Sequence, residues 1–281
     1  MTLLYIIGFI DRSNVGFAAL TMNRDLGFSP EIFGLGAGMF FVGYLTFQIP
    51  TALLLARLGA RRVIFCVMLA WGLVSASNAF MRDAQQFYAL RFLLGVAEGG
   101  FTPSMIYYLT LWFPLSMRGR FTAIFCTAIP IAGIISGPLS GLLLGLDGMG
   151  GLHGWQWLFL IEGSPAVILS VLVFFVLPDS PQDARWLTDA ERQAIVPHAS
   201  GVARHHGVWH TLGSLRDRRV LLYGIANLCL QGSINTAALL GPLVLRERTG
   251  YATATLGLVT AMAYLGSAGA QLVNGWHSDT R

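Results

Sequence analysis

The chain has 281 residues, of which 54% are hydrophobic and 11% are charged, whereas roughly a quarter of the residues of an ordinary soluble domain are charged. This composition excludes a disordered protein, argues against a soluble domain, and is typical of a helical protein that crosses a membrane many times. The net charge is +4, and the 18 basic residues are arginines scattered between apolar runs, so no basic stripe indicates a nucleic-acid partner.

Apolar runs along the chain predict about eight membrane spans, each near the 20 residues that cross a bilayer core. Their approximate bounds are 2–22, 31–56, 61–81, 84–113, 119–145, 156–177, 219–244 and 253–276. Glycine and proline recur inside them, which membrane helices tolerate. In the fourth run, Gly99, Gly100 and Pro103 predict a flexible break, and Gly137-Pro138 in the fifth predicts close packing and bending. The fold class is therefore an all-α membrane protein.

The short loops predict the orientation of the spans. Arg57, Arg61 and Arg62 follow the second span, and Arg118 and Arg120 follow the fourth. The loops after the first, third and fifth spans carry no net positive charge. By the positive-inside rule, the N-terminus and the even-numbered loops lie in the cytoplasm. We expect a multi-pass protein of the cell inner membrane.

The spacing of the spans predicts two bundles in one chain. Residues 1–177 form a six-helix N-terminal bundle, 178–218 form a cytoplasmic linker, and 219–281 begin a second bundle. The segments ALLLARLGARR and GWHSDTR place similar polar turns at cytoplasmic helix ends, and their first residues, 52 and 275, are 223 positions apart. If the halves match, about four of the twelve expected helices are missing, and we expect an incomplete transporter.

Several kinds of site have no support in the sequence. There is no GxxxxGK[ST] for ATP, and neither HExxH nor GxSxG indicates a membrane-embedded enzyme. The linker histidines lack regular metal spacing, and the three cysteines lie in apolar runs without CxxC, which predicts buried free thiols. We expect no enzyme activity, cofactor or metal. The histidines are His198, His205, His206 and His210, and the cysteines are Cys66, Cys126 and Cys229.

Two predicted spans each contain a pair of charged residues, Asp11 and Arg12 in the first and Arg91 and Glu98 in the fourth. A charge at bilayer depth costs at least about 2.5–3.5 kcal/mol on insertion scales, so such residues are functional by default. Positions 91 and 98 are two helical turns, roughly 10 Å, apart on one face. The alternative is that two salt bridges hold the bundle together without any role in transport.

Chemistry separates the roles of these four residues. A guanidinium stays charged and presents a planar fork to a carboxylate, so Arg12 and Arg91 are candidate anion ligands. Asp11 and Glu98 can bind and release protons. Protonation of the acids would free the arginines for substrate, and release of substrate would restore the ion pairs.

Further candidates for substrate binding are polar residues inside spans. Tyr44 can donate to a substrate oxygen, although helix packing is an equal alternative. Gln231 and Asn235 lie four apart on one face of the seventh span. Asn14 is one turn from Asp11, with an interhelical hydrogen bond as its alternative. Glu162, in FLIEGSP, is expected to be structural.

A series of motifs in register from residue 11 to residue 192 resembles one transporter family: DRSNVGFAALTMNRDLGFS, RFLLGVAEGGFTPSMIYYLTLWFP…RGR, GWQWLFLIEG and LPDSPQDARWLTDAER. These motifs are similar to the anion:cation symporter family of the major facilitator superfamily. The resemblance implies uptake of organic anions, commonly carboxylates, driven by protons or sodium. GLHGWQWLFLIEG is similar to members of the tartrate and hydroxy-acid type. The resemblance also implies proton coupling by Asp11 and Glu98, and anion binding by Arg12 and Arg91.

The two polar turns resemble the superfamily's G-x-x-x-D-R-x-G-R-R loop, which implies cytoplasmic gating. In the first copy Arg57, Gly59 and Arg61 match, but Ala56 stands at the usual Asp position. In the second copy Gly275 and Asp279 match, with Thr280 at the usual first Arg position.

The expected function is import of a small organic anion, such as tartrate or a sugar acid, by proton symport. Its partners are that anion, a proton or sodium ion and the lipid bilayer, and the protein is expected to be a monomer. Rival interpretations are a transport-inactive fragment or membrane sensor, an aromatic-acid importer of the same family, and sugar or drug efflux, which the paired arginines disfavour.

Overall fold

A computed structural model describes residues 1–113, 115–184, 186–189, 191 and 217–279, except for the side chains at 49, 52, 56, 115, 116, 119, 120, 123, 227, 228 and 271–279. The linker histidines predicted to lack a metal role therefore lie outside the described residues.

The described part of the chain is helical, with ten α-helices. They are α1 (Thr2–Asp25), α2 (Pro30–Leu58), α3 (Ala60–Ser77), α4 (Ala84–Glu98), α5 (Phe101–Trp112), α6 (Leu115–Cys126), α7 (Ala128–Leu144), α8 (Gly154–Val176), α9 (Arg218–Thr249) and α10 (Thr253–Asp279). Short 3₁₀ turns cover Asn78–Phe80, Met149–Gly151 and Pro181–Asp183.

Six of the eight predicted spans correspond to single helices, and two do not. The expected span 84–113 is α4 followed by α5, and the expected span 119–145 is α6 followed by α7. The first interruption falls at Gly99 and Gly100, where a break was predicted. Both glycines keep right-handed backbone angles, with φ of −55° and −87°. The interruption is therefore a short turn in an otherwise helical path.

Among the described residues, six segments are long and apolar enough to cross a membrane. They are Thr2–Asp25, Pro30–Gln48, Ala60–Phe80, Ile124–Leu144, Gly154–Val176 and Arg218–Thr249. The protein is thus a multi-pass helical membrane protein.

Local chemistry places the helix ends. The Ser29 hydroxyl accepts a hydrogen bond from the Ile32 amide at 3.3 Å and caps α2, and Asp83 caps α4 through the Gln86 amide at 2.8 Å. Such caps satisfy amides that have no partner inside the helix. Gly59, at φ +83°, separates α2 from α3, because a left-handed backbone angle suits glycine alone among common residues.

The helices pack in pairs around α1. α2 lies along α4, α3 along α8, and α7 along α10, while α1 lies against α7, α8 and α9. Small residues permit this: a Cβ at Gly137 of α7 would collide with the backbone of Gly257 in α10, and one at Gly95 would collide with that of Phe40. Without a hydrophobic driving force between helices in lipid, such close backbone contact provides much of the attraction. The close packing predicted at Gly137 is present.

The three cysteines are free, as predicted, but the expectation that they are buried is wrong. Cys66, Cys126 and Cys229 are all exposed at the protein surface. In a membrane protein an apolar face can point to lipid, so an apolar run does not by itself imply burial inside the protein.

Candidate functional site

Two of the four predicted intramembrane charges form an ion pair between α1 and α4. The Arg12 guanidinium donates to Glu98 Oε2 from Nη2 at 2.7 Å and from Nε at 3.1 Å. Glu98 is 2% exposed, and its Oε1 has no hydrogen-bond partner within the described chain. A fork of this geometry gives a strong, directional bond.

Asp11 points away from its neighbour Arg12 and is held by neutral donors. Trp71 Nε1 donates at 2.6 Å, Asn14 Nδ2 donates at 3.0 Å, and the Ser75 hydroxyl donates as well. Asp11 is fully buried. The alternative of two salt bridges is therefore not what the structure shows, since the described part of the chain forms the Arg12–Glu98 bridge while Asp11 is bonded to α1 and α3.

Arg91 is the buried cation without a salt bridge in the described structure. It is 2% exposed, and its Nε and Nη1 have no hydrogen-bond partner among the described residues. Its guanidinium carbon lies 4.8 Å from the Phe40 ring centroid, and that of Arg12 lies 5.5 Å from the same centroid. The two arginines therefore meet at one aromatic ring, and Arg91 keeps donors available for an anion.

A small cleft opens beside these arginines. Its walls come from α1, α2, α4 and α9, and they include Phe9, Arg12, Ser13, Phe40, Phe41, Arg91 and Asn235. A second small cleft also borders Arg12 and is lined by Tyr5, Gly8, Phe9, Arg12, Trp71, Glu98 and Phe101. Arg12 thus lines two small clefts, one that includes Arg91 and one that includes Glu98.

The other predicted binding residues are spread around this centre. Tyr44 packs its ring 5.1 Å from the Arg12 guanidinium, and Asn235 lines the larger cleft. Asn14 is buried behind the cleft against Asp11. Gln231 is exposed, and its carbonyl accepts from Asn235 Nδ2 at 2.7 Å.

Of the predicted gating residues, Arg61 makes a defined tertiary contact. Its amide donates to Asp179 Oδ1 at 3.0 Å and its guanidinium pairs with Oδ2 at 3.3 Å. Asp179 follows α8, so it supplies a carboxylate to the loop in which Ala56 occupies the usual Asp position. Arg57 is exposed at the end of α2. Gly275 and Asp279 lie in α10, with side chains outside the described part.

Glu162, which the sequence analysis expected to be structural, is a buried acid. It lies inside α8 and is 3% exposed. Ser140 Oγ donates to its Oε1 at 3.1 Å, while its Oε2 has no partner within the described chain. The signal was present, since an acid inside an apolar run indicates a functional residue.

Similarity to known proteins agrees with this architecture. The model of the Major Facilitator Superfamily matches residues 1–281. A protein of Agrobacterium vitis named "Putative tartrate transporter" is 44% identical over 279 residues, which cover 99% of this chain and 64% of the relative. The "Quinolone resistance transporter" of Acinetobacter baumannii is 40% identical over 268 residues, covering 94% of this chain and 62% of that protein. The chain thus spans less than two thirds of the length of these relatives.

A solved structure shows the same fold. It is a bacterial homologue of the human lysosomal transporter Spinster in an inward-facing, unoccupied conformation. The TM-score is 0.78 at 18% identity, over 99% of this chain and 61% of that one. With a family match along its whole length and close relatives of the same type, the chain belongs to the major facilitator superfamily.

Proposed function

We propose that this protein imports a small organic carboxylate across the inner membrane by proton symport, with tartrate or a related hydroxy acid as the first candidate. The observation that carries the proposal is Arg91, a buried guanidinium with unpartnered donors in the wall of a cleft. An unpaired charge inside a membrane protein is costly unless a ligand completes it. A carboxylate has the charge and planar shape that match an arginine fork.

Arg12 and Glu98 supply the coupling in this proposal. While Glu98 is ionised, it holds Arg12 through two bonds. A proton on Glu98 removes the negative charge that attracts Arg12, and the guanidinium becomes free to join Arg91 at the substrate. Release of substrate and proton on the other side restores the ion pair. Asp11 is the second proposed proton carrier.

Charge balance explains why coupling is needed. Importing one negative charge against an inside-negative potential costs about 2.3 kcal/mol per 100 mV, and a dianion costs twice that. With two coupled protons a monoanion enters with net positive charge. A dianion then enters without net charge, and the pH gradient alone drives its accumulation.

The proposal includes the arrangement of the chain in the membrane. Residues 1–177 are the N-terminal six-helix bundle, 178–218 are a cytoplasmic linker, and 219–281 begin the second bundle, with the N-terminus in the cytoplasm. Gly275 and Asp279 belong to the second gating turn, as Arg57, Gly59 and Arg61 belong to the first.

The name of one relative supports an organic anion as the substrate, and the name of another points to a drug instead. The Agrobacterium vitis relative is named for tartrate, and the Acinetobacter baumannii relative is named for quinolone resistance. Two arginines at one cleft favour an anion. Because Phe9, Phe40 and Phe41 line that cleft, an aromatic acid is the second candidate.

Uptake into proteoliposomes tests the proposal. Radiolabelled tartrate, a sugar acid, an aromatic acid and a quinolone are offered with and without an inward proton gradient, to wild type and to Glu98→Gln. We expect one carboxylate to accumulate only with the gradient. Glu98→Gln should exchange that carboxylate across the membrane without accumulating it.

One control variant and two contrary outcomes make the result decisive. Glu31→Gln neutralises an exposed acid at the start of α2 and should accumulate substrate like wild type. Accumulation by Glu98→Gln at the wild-type level would contradict the coupling role. Binding of a carboxylate without any uptake would instead support the transport-inactive sensor.

A further inference from the structure

Glu162 is a buried acid that the proposed cycle does not use. It lies nine residues into the 23-residue helix α8, and its side chain is enclosed by α1, α3 and α7. α8 carries no other charged residue. A carboxyl group in this position needs a function or a compensating partner.

The partners of Glu162 are neutral or acidic. From α7, Ser140 donates to Oε1 at 3.1 Å. From α1, the polar groups near Glu162 are Asn14 and Asp11. From α3, the Ser75 hydroxyl bonds to Asp11. Within the described chain no cation pairs with Glu162, and Oε2 has no partner.

Asn14 is hydrogen-bonded to Asp11 and leaves one buried acceptor without a partner in the described chain. Its Nδ2 donates to Asp11 Oδ1 at 3.0 Å, and its Oδ1 has no partner among the described residues. Ionised carboxylates only accept hydrogen bonds, whereas a protonated carboxyl also donates one. Glu162 Oε2 and Asn14 Oδ1 are both buried acceptors without a donor among the described residues, and a proton on Glu162 supplies one.

Three serine hydroxyls lie between Glu162 and the cleft, in two hydrogen-bonded parts, Ser13–Ser136 and Ser140–Glu162. Ser13 lines the cleft beside Arg12, and its Oγ lies 2.7 Å from Ser136 Oγ. Ser136 and Ser140 are four residues apart on α7 and so lie on one face. Ser140 then reaches Glu162. Each hydroxyl both donates and accepts, as proton transfer along such a line requires.

We propose that Glu162 binds one further coupled proton, which it exchanges with the cleft through Ser140, Ser136 and Ser13. The inference rests on the proposed function, because it concerns the number of protons in the same cycle. Together with Asp11 and Glu98, Glu162 makes three acids. Three protons entering with a dianion carry one net positive charge inward, so the membrane potential as well as the pH gradient drives uptake.

The proton number is measured from the equilibrium substrate gradient. Proteoliposomes are held at zero membrane potential with a fixed pH difference, and the tartrate ratio at zero net flux is determined for wild type and Glu162→Gln. Each coupled proton contributes about tenfold per pH unit. We expect the attainable ratio for Glu162→Gln to fall about tenfold per pH unit, with exchange retained.

The conservative variant Glu162→Asp should keep the wild-type ratio, and Glu31→Gln is the matched control on an exposed acid. An unchanged ratio in Glu162→Gln overturns the third proton. A wild type that accumulates no tartrate contradicts the proposed function instead.

Infrared spectroscopy gives a readout that needs no transport. The C=O stretching band of protonated carboxyl groups is recorded against pH in wild type, Glu162→Gln and Ser140→Ala. We expect Glu162→Gln to lose one component of the band and Ser140→Ala, which keeps the acid, to shift that component. A band identical in all three proteins overturns the proposal even where transport is lost.

Discussion

Arg12 and Glu98, 86 positions apart in the chain, are joined by two hydrogen bonds of 2.7 and 3.1 Å to a single carboxylate oxygen. The bond ties α1 to α4 beside both clefts. It also leaves Asp11 and Arg91, the other charged residues predicted for the first and fourth spans, without a salt bridge in the described structure.

A double-mutant cycle on this pair should show strong coupling. Arg12→Gln leaves Glu98 buried and unpaired, which costs about 3–5 kcal/mol in other buried pairs. The double variant Arg12→Gln/Glu98→Gln should recover much of that loss, since neither charge remains. Chemical unfolding in detergent gives the free energies of unfolding.

The pair Arg24–Asp25 is the control for this cycle, and its coupling energy should be less than about 1 kcal/mol. Equal coupling energies in the two pairs would argue against the buried bond.

Arg91→Met should separate stability from binding. Methionine keeps the long stem against Phe40 but removes a buried charge whose donors are unpartnered, so the melting temperature should rise. Substrate binding should weaken roughly 10- to 100-fold, because a hydrogen bond to a charged group contributes about 1.5–3 kcal/mol. Calorimetric titration with tartrate and a thermal melt provide the two measurements.

Arg91→Lys keeps the positive charge but lacks the planar guanidinium fork. Its affinity for tartrate should therefore lie between those of wild type and Arg91→Met. The exposed Arg82→Met should change neither quantity. Unweakened binding in Arg91→Met would remove Arg91 from the site.

Ser75→Ala should destabilise the protein through Asp11. The Ser75 hydroxyl is one of three donors to that buried carboxyl group, and its loss should cost about 1.5–3 kcal/mol. Ser77→Ala is matched, because that exposed hydroxyl bonds to the Leu73 carbonyl of its own helix. The free energies of unfolding are compared; a similar loss in both variants would show that the Asp11 bond is not responsible.

Gly257→Ala should separate α7 from α10. The added Cβ would press on the Gly137 carbonyl, which is backbone and cannot rotate away, and overpacking typically costs about 1–3 kcal/mol. Spin labels on exposed Ile135 and Leu258 should report a longer or broader distance. An added Cβ at Gly266 in the same helix meets no described atom within 4 Å, so Gly266→Ala should leave the distance unchanged. An unaltered distance in Gly257→Ala would mean that the two helices do not touch there in solution.

The linker gives a prediction about pH. The Thr188 amide and hydroxyl donate to Glu191 Oε2 at 2.9 and 2.8 Å, which lowers the pKa of this exposed carboxyl below its ordinary 4.5. A lowered pKa stabilises the folded form above pH 4.5, and that contribution is lost as pH falls through the folded value. An NMR titration of labelled glutamate should show the low pKa in wild type and its return toward 4.5 in Thr188→Val. Identical titrations would exclude the bond.

The composition and the apolar runs determined that this is a multi-pass helical protein, and the motifs determined its family. Apolar length alone also places most helices, because a bilayer of fixed thickness demands it. The prediction of a single helix was wrong for 84–113 and for 119–145. Hydrophobicity along the chain does not distinguish one helix from two helices joined by a short turn. The sequence also identified Asp11, Arg12, Arg91 and Glu98, because ionisable residues are costly in apolar runs.

The pairing of those charges was decided by tertiary structure. Asp11 and Arg12 are adjacent in sequence, but successive residues on a helix point about 100° apart, so one faces α3 and the other faces α4. Trp71 and Ser75 became the partners of Asp11 only because α3 packs beside α1. Glu162 is bonded to Ser140 because α8 lies against α7. The spacing of residues along one helix determines which side chains lie on the same face of that helix. The neighbouring helix that contacts this face is determined by packing between segments that are far apart in sequence.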